Sequence, residues 1–331
     1  MQNGISLGIL SDIHYAGPAE RQRTNYLNEG IASPALRLFI RLYRHYIWLR
    51  DPFAHNHLLN RFIDQTRAVD LVIANGDYSC DSAFVGVSDD AACASAAECL
   101  GKLRQNFPTN FQAIFGDHEI GKRMMGGTNG GLRLSSFHRA RSELELQPAW
   151  SIEVGRYVLI GVVSTLLAFP VYESESLVEE RLEWQELRKQ HLEQIRQIFQ
   201  AIKPDQKILL FCHDPTALPY LGQEKAVREK LSQVERTVLG HLHSNVVLMK
   251  SRLLAGMPPI SFLGHTPRRL SMALRMARQW RPFNVLLCPS LAGIELLKDG
   301  GFYTVELDKE AVKPALFELH RFGQRIIKSG L

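Results

Sequence analysis

The stretch Ile5-Ser6-Leu7-Gly8-Ile9-Leu10-Ser11-Asp12-Ile13-His14 decides the fold of this chain. Ile5 to Leu10 is a short apolar run, which is typical of a buried β-strand. The run ends in Asp12-Ile13-His14, which places a carboxylate and an imidazole in the loop that follows the strand. Because α/β sheets bind their ligands at the carboxyl ends of the strands, this loop is the first candidate for a functional site.

The same arrangement, a short apolar run followed by Asp or His, recurs along the chain. Further strands are predicted at Leu71–Ala74, Gln112–Phe115, Tyr157–Val163, Lys207–Cys212, Thr237–Leu239 and Phe302–Leu307. Four of them lead into metal-ligand residue types: Gly76-Asp77, Gly116-Asp117-His118-Glu119, His213 and Gly240-His241-Leu242-His243. Each piece alone has an ordinary structural explanation, as a turn or a core histidine. Five in order, each after a strand, predict one shared site.

Helical patterns lie between several predicted strands. The clearest runs from Glu179 to Ile202, with Leu182, Leu187, Ile195, Ile198 and Phe199 on or near one stripe. Alternating strands and helices predict an α/β (α+β) fold.

The chain has 331 residues, 45% of them hydrophobic and 22% charged, which is ordinary globular composition. We expect a single domain over 1–331 with two insertions, 17–60 and 246–281. The five cysteines lack C-x-x-C spacing, which favours reduced thiols. No apolar run is long enough to span a bilayer, and no secretory signal is expected. A cytoplasmic location is therefore predicted.

The five motifs resemble those of the calcineurin-like metallophosphoesterases, which read D-x-H, G-D, G-N-H-[ED], H and G-H-x-H. The resemblance implies a four-layer αββα sandwich with a dinuclear metal site at one end. One metal would be held by Asp12, His14, Asp77 and His243, and the other by Asp77, Asp117, His213 and His241. Asp77 would bridge the two metals, and His118 would act on the leaving oxygen as a catalytic group.

Phosphate esters are anionic and repel nucleophiles, so this chemistry needs cations. Two metals about 3.5 to 4 Å apart neutralise the phosphoryl oxygens and generate hydroxide at neutral pH. By the resemblance, a metal-bridging hydroxide attacks phosphorus in line. Mixed imidazole and carboxylate ligands favour two divalent ions of the Mn2+ type, with Fe or Zn as alternatives.

Asp117 departs from the family motif, which has Asn before the histidine. Because a carboxylate oxygen coordinates as well as an amide oxygen, the site is expected to survive. The added negative charge would tighten metal binding and weaken the Lewis acidity of that metal.

The two insertions combine apolar residues with arginines. A helix is predicted over Ala35–Arg50, with Leu36, Phe39, Ile40, Tyr43 and Ile47 on one face and Arg37, Arg41, Arg44 and Trp48 on another. In the second insertion, Leu270, Ala273, Leu274, Ala277 and Trp280 recur at helical spacing beside Arg268, Arg275 and Arg278. Such faces are typical of helices at anionic lipid surfaces. On a lipid-binding interpretation, the two helices together would form a cap over the site that binds acyl chains. The alternative is that both apolar faces simply pack onto the sandwich.

The stretch Tyr46-Ile47-Trp48-Leu49-Arg50-Asp51-Pro52-Phe53 is locally similar to the branch that contains the UDP-2,3-diacylglucosamine pyrophosphohydrolases of lipid A biosynthesis. This resemblance implies hydrolysis of a lipid-linked nucleotide by a peripheral enzyme on the inner face of the membrane. The predicted substrate-binding residues are Lys122, Arg123, Arg41, Arg44 and Trp48.

Two other functions remain open. One is a nuclease or a soluble nucleotide phosphodiesterase or phosphomonoesterase, because Arg236 to Ile294 contains no Asp or Glu and would suit nucleic acid. The other is a binding module that kept the fold and lost catalysis. Such a module should lack ligands, whereas every ligand position here holds a competent residue. No protein partner is indicated.

Overall fold

A computed structural model describes residues 4–23, 30–260, 265–322 and 327–328. The strands within these ranges are β1 (Gly4–Leu10), β2 (Leu71–Ala74), β3 (Phe111–Ala113), β4 (Ala149–Val154), β5 (Tyr157–Val162), β6 (Lys207–Cys212), β7 (Val234–Leu239), β8 (Val285–Leu287), β9 (Gly301–Asp308), β10 (Leu316–Arg321) and β11 (Ile327–Lys328).

The strands form two mixed sheets. The first has the order β11-β10-β9-β1-β2-β3, in which β1, β2 and β3 are parallel and β9 pairs antiparallel with β1. The second has the order β4-β5-β6-β7-β8, in which β5 to β8 are parallel and β4 is antiparallel. In each sheet the parallel strands carry the loops with the predicted ligands.

One apolar core lies between the two sheets. It joins Leu7 and Ile9 of β1 with Leu209 and Phe211 of β6. The indole Nε1 of Trp150 in β4 donates a hydrogen bond of 2.9 Å to the carbonyl of Ala113 in β3, which ties one sheet to the other. The alternation along each strand therefore sends one set of side chains into this central layer.

Helices cover the outer faces of the sheets and bury a second core. Phe62, Leu100, Trp184 and Phe199 are fully buried members of this outer core. The helices within the described ranges are α1 (Pro18–Arg21), α2 (Pro34–Tyr46), α3 (Asn56–Gln65), α4 (Asp90–Asn106), α5 (Asp117–Ile120), α6 (Leu134–Ser142), α7 (Ser164–Leu167), α8 (Phe169–Tyr172), α9 (Arg181–Ala201), α10 (Leu218–Leu221), α11 (Lys225–Arg228), α12 (Asn245–Leu253) and α13 (His265–Met276). The helix, sheet, sheet, helix arrangement confirms the predicted αββα sandwich.

Some predicted boundaries were wrong. β3 begins at Phe111 and ends at Ala113, two residues before the predicted end, because the chain there turns toward the site. In α9, Leu182 is 80% exposed and does not belong to the buried stripe, which is formed by Trp184, Leu192, Ile195 and Phe199. Strands β4, β8, β10 and β11 were not predicted at all.

The predicted helix of the first insertion ends four residues early. α2 ends at Tyr46, so Ile47 and Trp48 lie outside it. Their carbonyls instead accept hydrogen bonds from the amides of Leu296 (3.2 Å) and Glu295 (2.7 Å). These bonds draw the chain out of the helix just before Asp51, whose helical conformation is already disfavoured by Pro52.

The predicted helical pattern of the second insertion is divided between two elements. α13 ends at Met276, and a 3-10 helix over Ala277–Phe283 continues the chain with Pro282 inside it. Leu274, Ala277 and Trp280 are buried, whereas Leu270 is 56% exposed. The division into a domain and two insertions stays an interpretation of the sequence.

The cysteines and the helix lengths bear on the remaining expectations from the sequence. The five cysteines are all buried and free. Among the helices of the described residues, none is both long enough and apolar enough to cross a bilayer.

Candidate metal centre

The loops after β1, β2, β3, β6 and β7 bring the predicted ligands together where the two sheets meet. Asp12, His14, Asp77, His241 and His243 all have a positive φ, between 48° and 61°. Non-glycine residues rarely adopt this left-handed conformation, and where they do it commonly marks a functional turn. The sharp turns allow five short loops to point their polar side chains at one place.

The first cluster consists of Asp77, Asp117, His213 and His241, whose ligand atoms lie within 4.8 Å of one another. His213 Nε2 is 3.2 Å from Asp77 Oδ2 and 3.3 Å from Asp117 Oδ1. His241 Nδ1 is 2.9 Å from Asp117 Oδ1. This is the set that the resemblance assigns to the second metal.

The second cluster consists of Asp12, His14 and His243. His14 Nε2 lies 3.1 Å from His243 Nε2, which in turn lies 3.3 Å from Asp12 Oδ1. Asp77 also groups with His14 and His118, so its carboxylate lies between the two clusters. The position is the one expected of a bridging ligand, and that role stays a prediction.

Backbone carbonyls orient the histidine rings. The Nδ1 atoms of His213 and His118 are 2.6 Å from the carbonyl of Asn75 and 3.0 Å from that of Ser79, respectively. A carbonyl can only accept, so each Nδ1 carries the proton and each Nε2 is free to act as a ligand or base.

The donor set fits a dinuclear centre of divalent cations. His213 Nε2 is buried and makes no hydrogen bond within the described chain, although carboxylate oxygens lie on two sides of it. Two imidazole nitrogens that face each other at 3.1 Å, as in His14 and His243, have no favourable contact unless a proton or a cation lies between them. Imidazole and carboxylate together are common ligands of such metals.

Electrostatics hold the central carboxylates in their ionised, metal-binding form. Burial and Asp117 raise the pKa of Asp77, but the imidazoles of His118 and His213 outweigh them and keep this pKa below its usual value. Burial likewise opposes ionisation of Asp117, whereas Lys122 and His241 lower its pKa well below the normal range. Burial lowers the pKa of His118 to about 3, so this ring is neutral at pH 7.

Glu119, for which the sequence predicted no role, supports the site from behind. Its carboxylate accepts hydrogen bonds from the amides of Gly116 (2.7 Å), Asp77 (3.0 Å) and Tyr78 (2.8 Å). Burial and the nearby Asp77 raise the pKa of Glu119 to about 8. The signal in the sequence was its place directly after His118, and its function is to join the loops after β2 and β3.

The predicted catalytic residue His118 and the predicted substrate-binding residue Lys122 lie together. Lys122 Nζ contacts His118 Nε2 and is 3.1 Å from Asp117 Oδ2. A positive charge at this point can bind a phosphoryl oxygen that approaches the metals.

A cavity of about 380 Å³ opens beside the predicted metal ligands. Its walls combine ligand side chains with apolar residues of both insertions: His14, Asp77, His241, His243, Ile40, Tyr43, Leu270, Ala273, Leu274 and Trp280. Arg44, Trp48, Lys122 and Arg123 also line it, whereas Arg41 is exposed and is not part of this lining. Arg41 thus stays a predicted substrate-binding residue without a place in the cavity.

A row of aromatic rings connects the first insertion with the metal ligands. Tyr43 stacks on Trp48 with ring centroids 6.2 Å apart, and Trp48 lies 4.6 Å from His243. Trp48 therefore forms a wall of the cavity and one side of the second cluster.

An ion pair joins the second insertion to the core of the fold, and no pattern in the sequence predicted it. Arg269 Nη1 lies 3.2 Å from the Glu175 carboxylate, which also accepts from the amide of Arg123 at 3.1 Å. The Arg269 guanidinium lies over the ring of Tyr172, whose hydroxyl donates to Asp214 beside His213. Since Glu175 and Arg269 are far apart in the sequence, only the folded chain reveals the pair.

The family model described as "Calcineurin-like phosphoesterase" matches residues 5–245, which include every predicted metal ligand. No curated protein matches significantly.

Three solved structures match the chain at low identity. A dimetal phosphatase from Danio rerio has 15% identity and a TM-score of 0.46, covering 95% of each chain. A purple acid phosphatase from yellow lupin has 9% identity and a TM-score of 0.42, covering 98% of this chain and 53% of the other. An uncharacterised protein from Streptococcus pneumoniae, a predicted phosphoesterase, has 10% identity and a TM-score of 0.27, covering 96% and 87%.

Proposed function

The chain belongs to the calcineurin-like phosphoesterase family as a metal-dependent phosphohydrolase, and we propose that its substrate is a phosphodiester or pyrophosphate that carries a long apolar chain. The favoured example is a lipid-linked nucleotide such as UDP-2,3-diacylglucosamine. The observation that carries this proposal is the cavity of about 380 Å³, because it places apolar side chains and metal ligands in the same walls.

The proposed metal ligands are the residues of the two clusters. Asp12, His14 and His243, together with Asp77 from between the clusters, would hold one divalent ion, and Asp77, Asp117, His213 and His241 would hold the other. The bound ions, for which Mn2+ is the first candidate, supply Lewis acidity and lower the pKa of water. Among the residues of the chain, the neutral His118 and the adjacent Lys122 act on the substrate directly.

His118 is the proposed group that assists the leaving oxygen. Its Nε2 lies 3.6 Å from Asp77 Oδ2, so it faces the carboxylate between the two clusters. Because Nδ1 is bonded to the Ser79 carbonyl, Nε2 is the atom that faces the substrate. Lys122 contacts this nitrogen and is positioned to bind the same phosphate.

The remainder of the cavity would bind the apolar part of the substrate. Ligand sites of this kind are mostly apolar, with a few polar groups that fix the orientation. Here the polar groups lie at the metal end, and the residues of α2 and α13 form the apolar end. Arg44 and Arg123 also line the cavity and would bind a second phosphate of a pyrophosphate substrate.

A nuclease is the second candidate, and one observation favours it. Arg268, Arg275 and Arg278 of the second insertion are exposed, in a region without acidic residues. Binding that depends on such contacts with nucleic acid would fall steeply as salt is added. Apolar cavity walls beside the metal ligands favour a lipid-linked substrate over a polynucleotide.

A substrate panel with Mn2+ tests the proposal. It compares UDP-2,3-diacylglucosamine, a phospholipid, single-stranded DNA, bis(p-nitrophenyl) phosphate and a phosphomonoester, with metal content measured in the same samples. We expect the highest kcat/KM for the diacylated nucleotide. Turnover of the soluble esters without turnover of either lipid would remove the proposed substrate class. Absence of bound metal and of turnover with several divalent ions would contradict the enzymatic function itself.

A further inference from the structure

One face of α2 is apolar and exposed to solvent. Leu38 is 55% exposed, Phe39 63%, Leu42 46% and Tyr46 60%. Leu38, Leu42 and Tyr46 are four residues apart, so they lie above one another on the helix, with Phe39 beside them. We call these four residues the outer α2 face. It is distinct from the side with Ile40 and Tyr43, which lines the cavity.

A second segment extends this surface. Leu296 is 62% and Leu297 41% exposed, and the amide of Leu296 is bonded to the carbonyl of Ile47, which is itself 39% exposed. This backbone bond brings exposed apolar residues from two distant parts of the chain close to one another at the end of α2. Clustered exposed apolar residues mark an interaction site more often than scattered ones do.

The charges on α2 itself have one sign, since Gly30 to Leu49 contains Arg37, Arg41, Arg44 and His45 but no Asp or Glu. At the end of the surface that contains Leu296, Glu295 pairs with Arg50 at 3.6 Å. Within the described chain, Arg37, Arg41 and Arg44 form no ion pair. On a helical projection the exposed Arg41 and His45 border the outer α2 face on one side, Arg37 lies beyond Arg41, and Arg44 belongs to the side that lines the cavity. The surface is thus an apolar strip with positive charge along one edge.

The positive charge favours an anionic bilayer over a second copy of the chain as the partner of this surface. In a symmetric pair of identical chains the same patch meets itself, so the arginines of one copy would lie near those of the other. A bilayer with anionic headgroups would instead attract the arginines while its acyl boundary accepts the apolar strip. We propose that the outer α2 face, with Ile47, Leu296 and Leu297, docks onto a lipid bilayer that contains anionic lipids.

The position of α2 gives this docking a consequence for the site. The same helix contacts the bilayer with one face and lines the cavity with another, so the cavity would lie directly above the membrane surface. Binding to the bilayer does not itself require a lipid-linked substrate. The inference therefore stands or falls independently of the proposed function.

Flotation with lipid vesicles tests the proposal with the full-length protein and no substrate. One set of vesicles contains phosphatidylglycerol and phosphatidylethanolamine, and the other contains phosphatidylcholine alone. We expect binding to the anionic vesicles, weakened by 0.5 M salt to an extent of about tenfold or more, because screening shortens the reach of the arginines. Equal binding to both kinds of vesicle, or no binding to either, would overturn the proposal.

Two pairs of variants locate the surface. Leu38→Asp/Leu42→Asp removes apolar area from the outer α2 face and should weaken binding to anionic vesicles about tenfold or more. The matched control is Leu182→Asp/Val312→Asp, which changes two exposed apolar residues on α9 and on the turn after β9 and should bind like the wild type. Hydrolysis of soluble bis(p-nitrophenyl) phosphate shows that both variants are folded.

A second experiment tests whether the outer α2 face is instead a contact between two copies of the chain. Analytical ultracentrifugation of the wild type and of Leu38→Asp/Leu42→Asp measures self-association in the absence of lipid. A wild-type dimer that the double substitution converts into a monomer would identify the face as a contact between copies and overturn the membrane proposal. A monomer in both cases, with vesicle binding lost only in the variant, supports it.

Discussion

The loops that hold the predicted metal ligands differ from the two insertions beside them in burial and in composition. The ligand loops are buried, have strained left-handed turns and are linked by hydrogen bonds to backbone carbonyls and amides. The insertions are helical, rich in arginine and apolar on more than one face, and much of their surface is exposed. In the function proposed above, the first region carries out the reaction and the second selects the substrate. Changes in the two regions should therefore affect different measurements.

Asp77→Asn should have the largest effect, because this carboxylate lies between the two clusters. A metal centre contributes several kcal/mol to the transition state, and each 1.4 kcal/mol is a factor of ten. We expect hydrolysis of bis(p-nitrophenyl) phosphate to fall more than about 10³-fold, with loss of at least one equivalent of metal by elemental analysis. Full metal content and activity would show that Asp77 is not a shared ligand.

His118→Asn should separate proton transfer from metal binding. Loss of a general acid or base typically reduces a rate about 10² to 10⁴-fold. Both metals should remain, since the two clusters keep their carboxylates and the other imidazoles. Steady-state kinetics and metal analysis of the same sample check this prediction. A substrate with a good leaving group, which needs little protonation, should be affected less; an equal loss with good and poor leaving groups would contradict the assigned role.

Ala273→Trp should reduce activity on an acyl-chain substrate without affecting hydrolysis of a soluble ester. The added indole fills the apolar end of the cavity, and a clash of this size costs about 1 to 3 kcal/mol. The kcat/KM for a substrate with a long acyl chain should fall about 10- to 100-fold, whereas bis(p-nitrophenyl) phosphate should be hydrolysed as before. The measurement is the ratio of the two kcat/KM values. If both fall together, the insertions and the metal centre do not act separately.

Arg269→Gln tests the connection between the regions. The guanidinium pairs with Glu175 and lines the cavity, so its loss should raise KM for an anionic ester about tenfold, with a smaller change in kcat. Glu175→Gln is the control, because it removes the same ion pair while it keeps the positive charge. Identical kinetics of the two variants would mean that the pair only holds α13 in place.

Asp117→Asn should have the smallest effect. The substitution restores the family residue and keeps an oxygen ligand, so metal and activity should be retained, with kcat within about threefold of the wild type. Metal affinity should decrease because one negative charge is removed. Titration with a competing chelator and kinetics at saturating Mn2+ measure the two quantities. Loss of both metal and activity would show that Asp117 has another function.

The same contrast explains what could be predicted from the sequence. Buried runs such as Leu71–Ala74 and Lys207–Cys212 were found with their exact ends, because parallel strands covered on both faces are continuously apolar. Edge strands such as β10 (Leu316–Arg321) mix polar and apolar residues and were missed. The ligand positions were visible because each follows a buried strand, and the structure brings all seven together.

The insertions were harder to predict because their structure depends on distant parts of the chain. The end of α2 is set by hydrogen bonds from residues 295 and 296, and the Arg269–Glu175 pair joins segments that share no local pattern. Periodicity found an apolar face on α2 but not which part of it is covered. Phe39 was placed with Ile40 and Tyr43, yet it is exposed.

The contact between Trp48 and His243 has an optical consequence. Indole fluorescence responds to rings and charges within van der Waals distance, and here the partner ring is a predicted metal ligand 4.6 Å away between centroids. Trp150 and Trp184 are buried elsewhere in the fold, whereas Trp280 is buried in the cavity wall. The emission of Trp48 should therefore change when His243 binds a cation, and a Trp48→Phe sample would provide the baseline. The chain thus contains its own unlabelled probe for filling of the centre, readable in a stopped-flow instrument before any substrate is added.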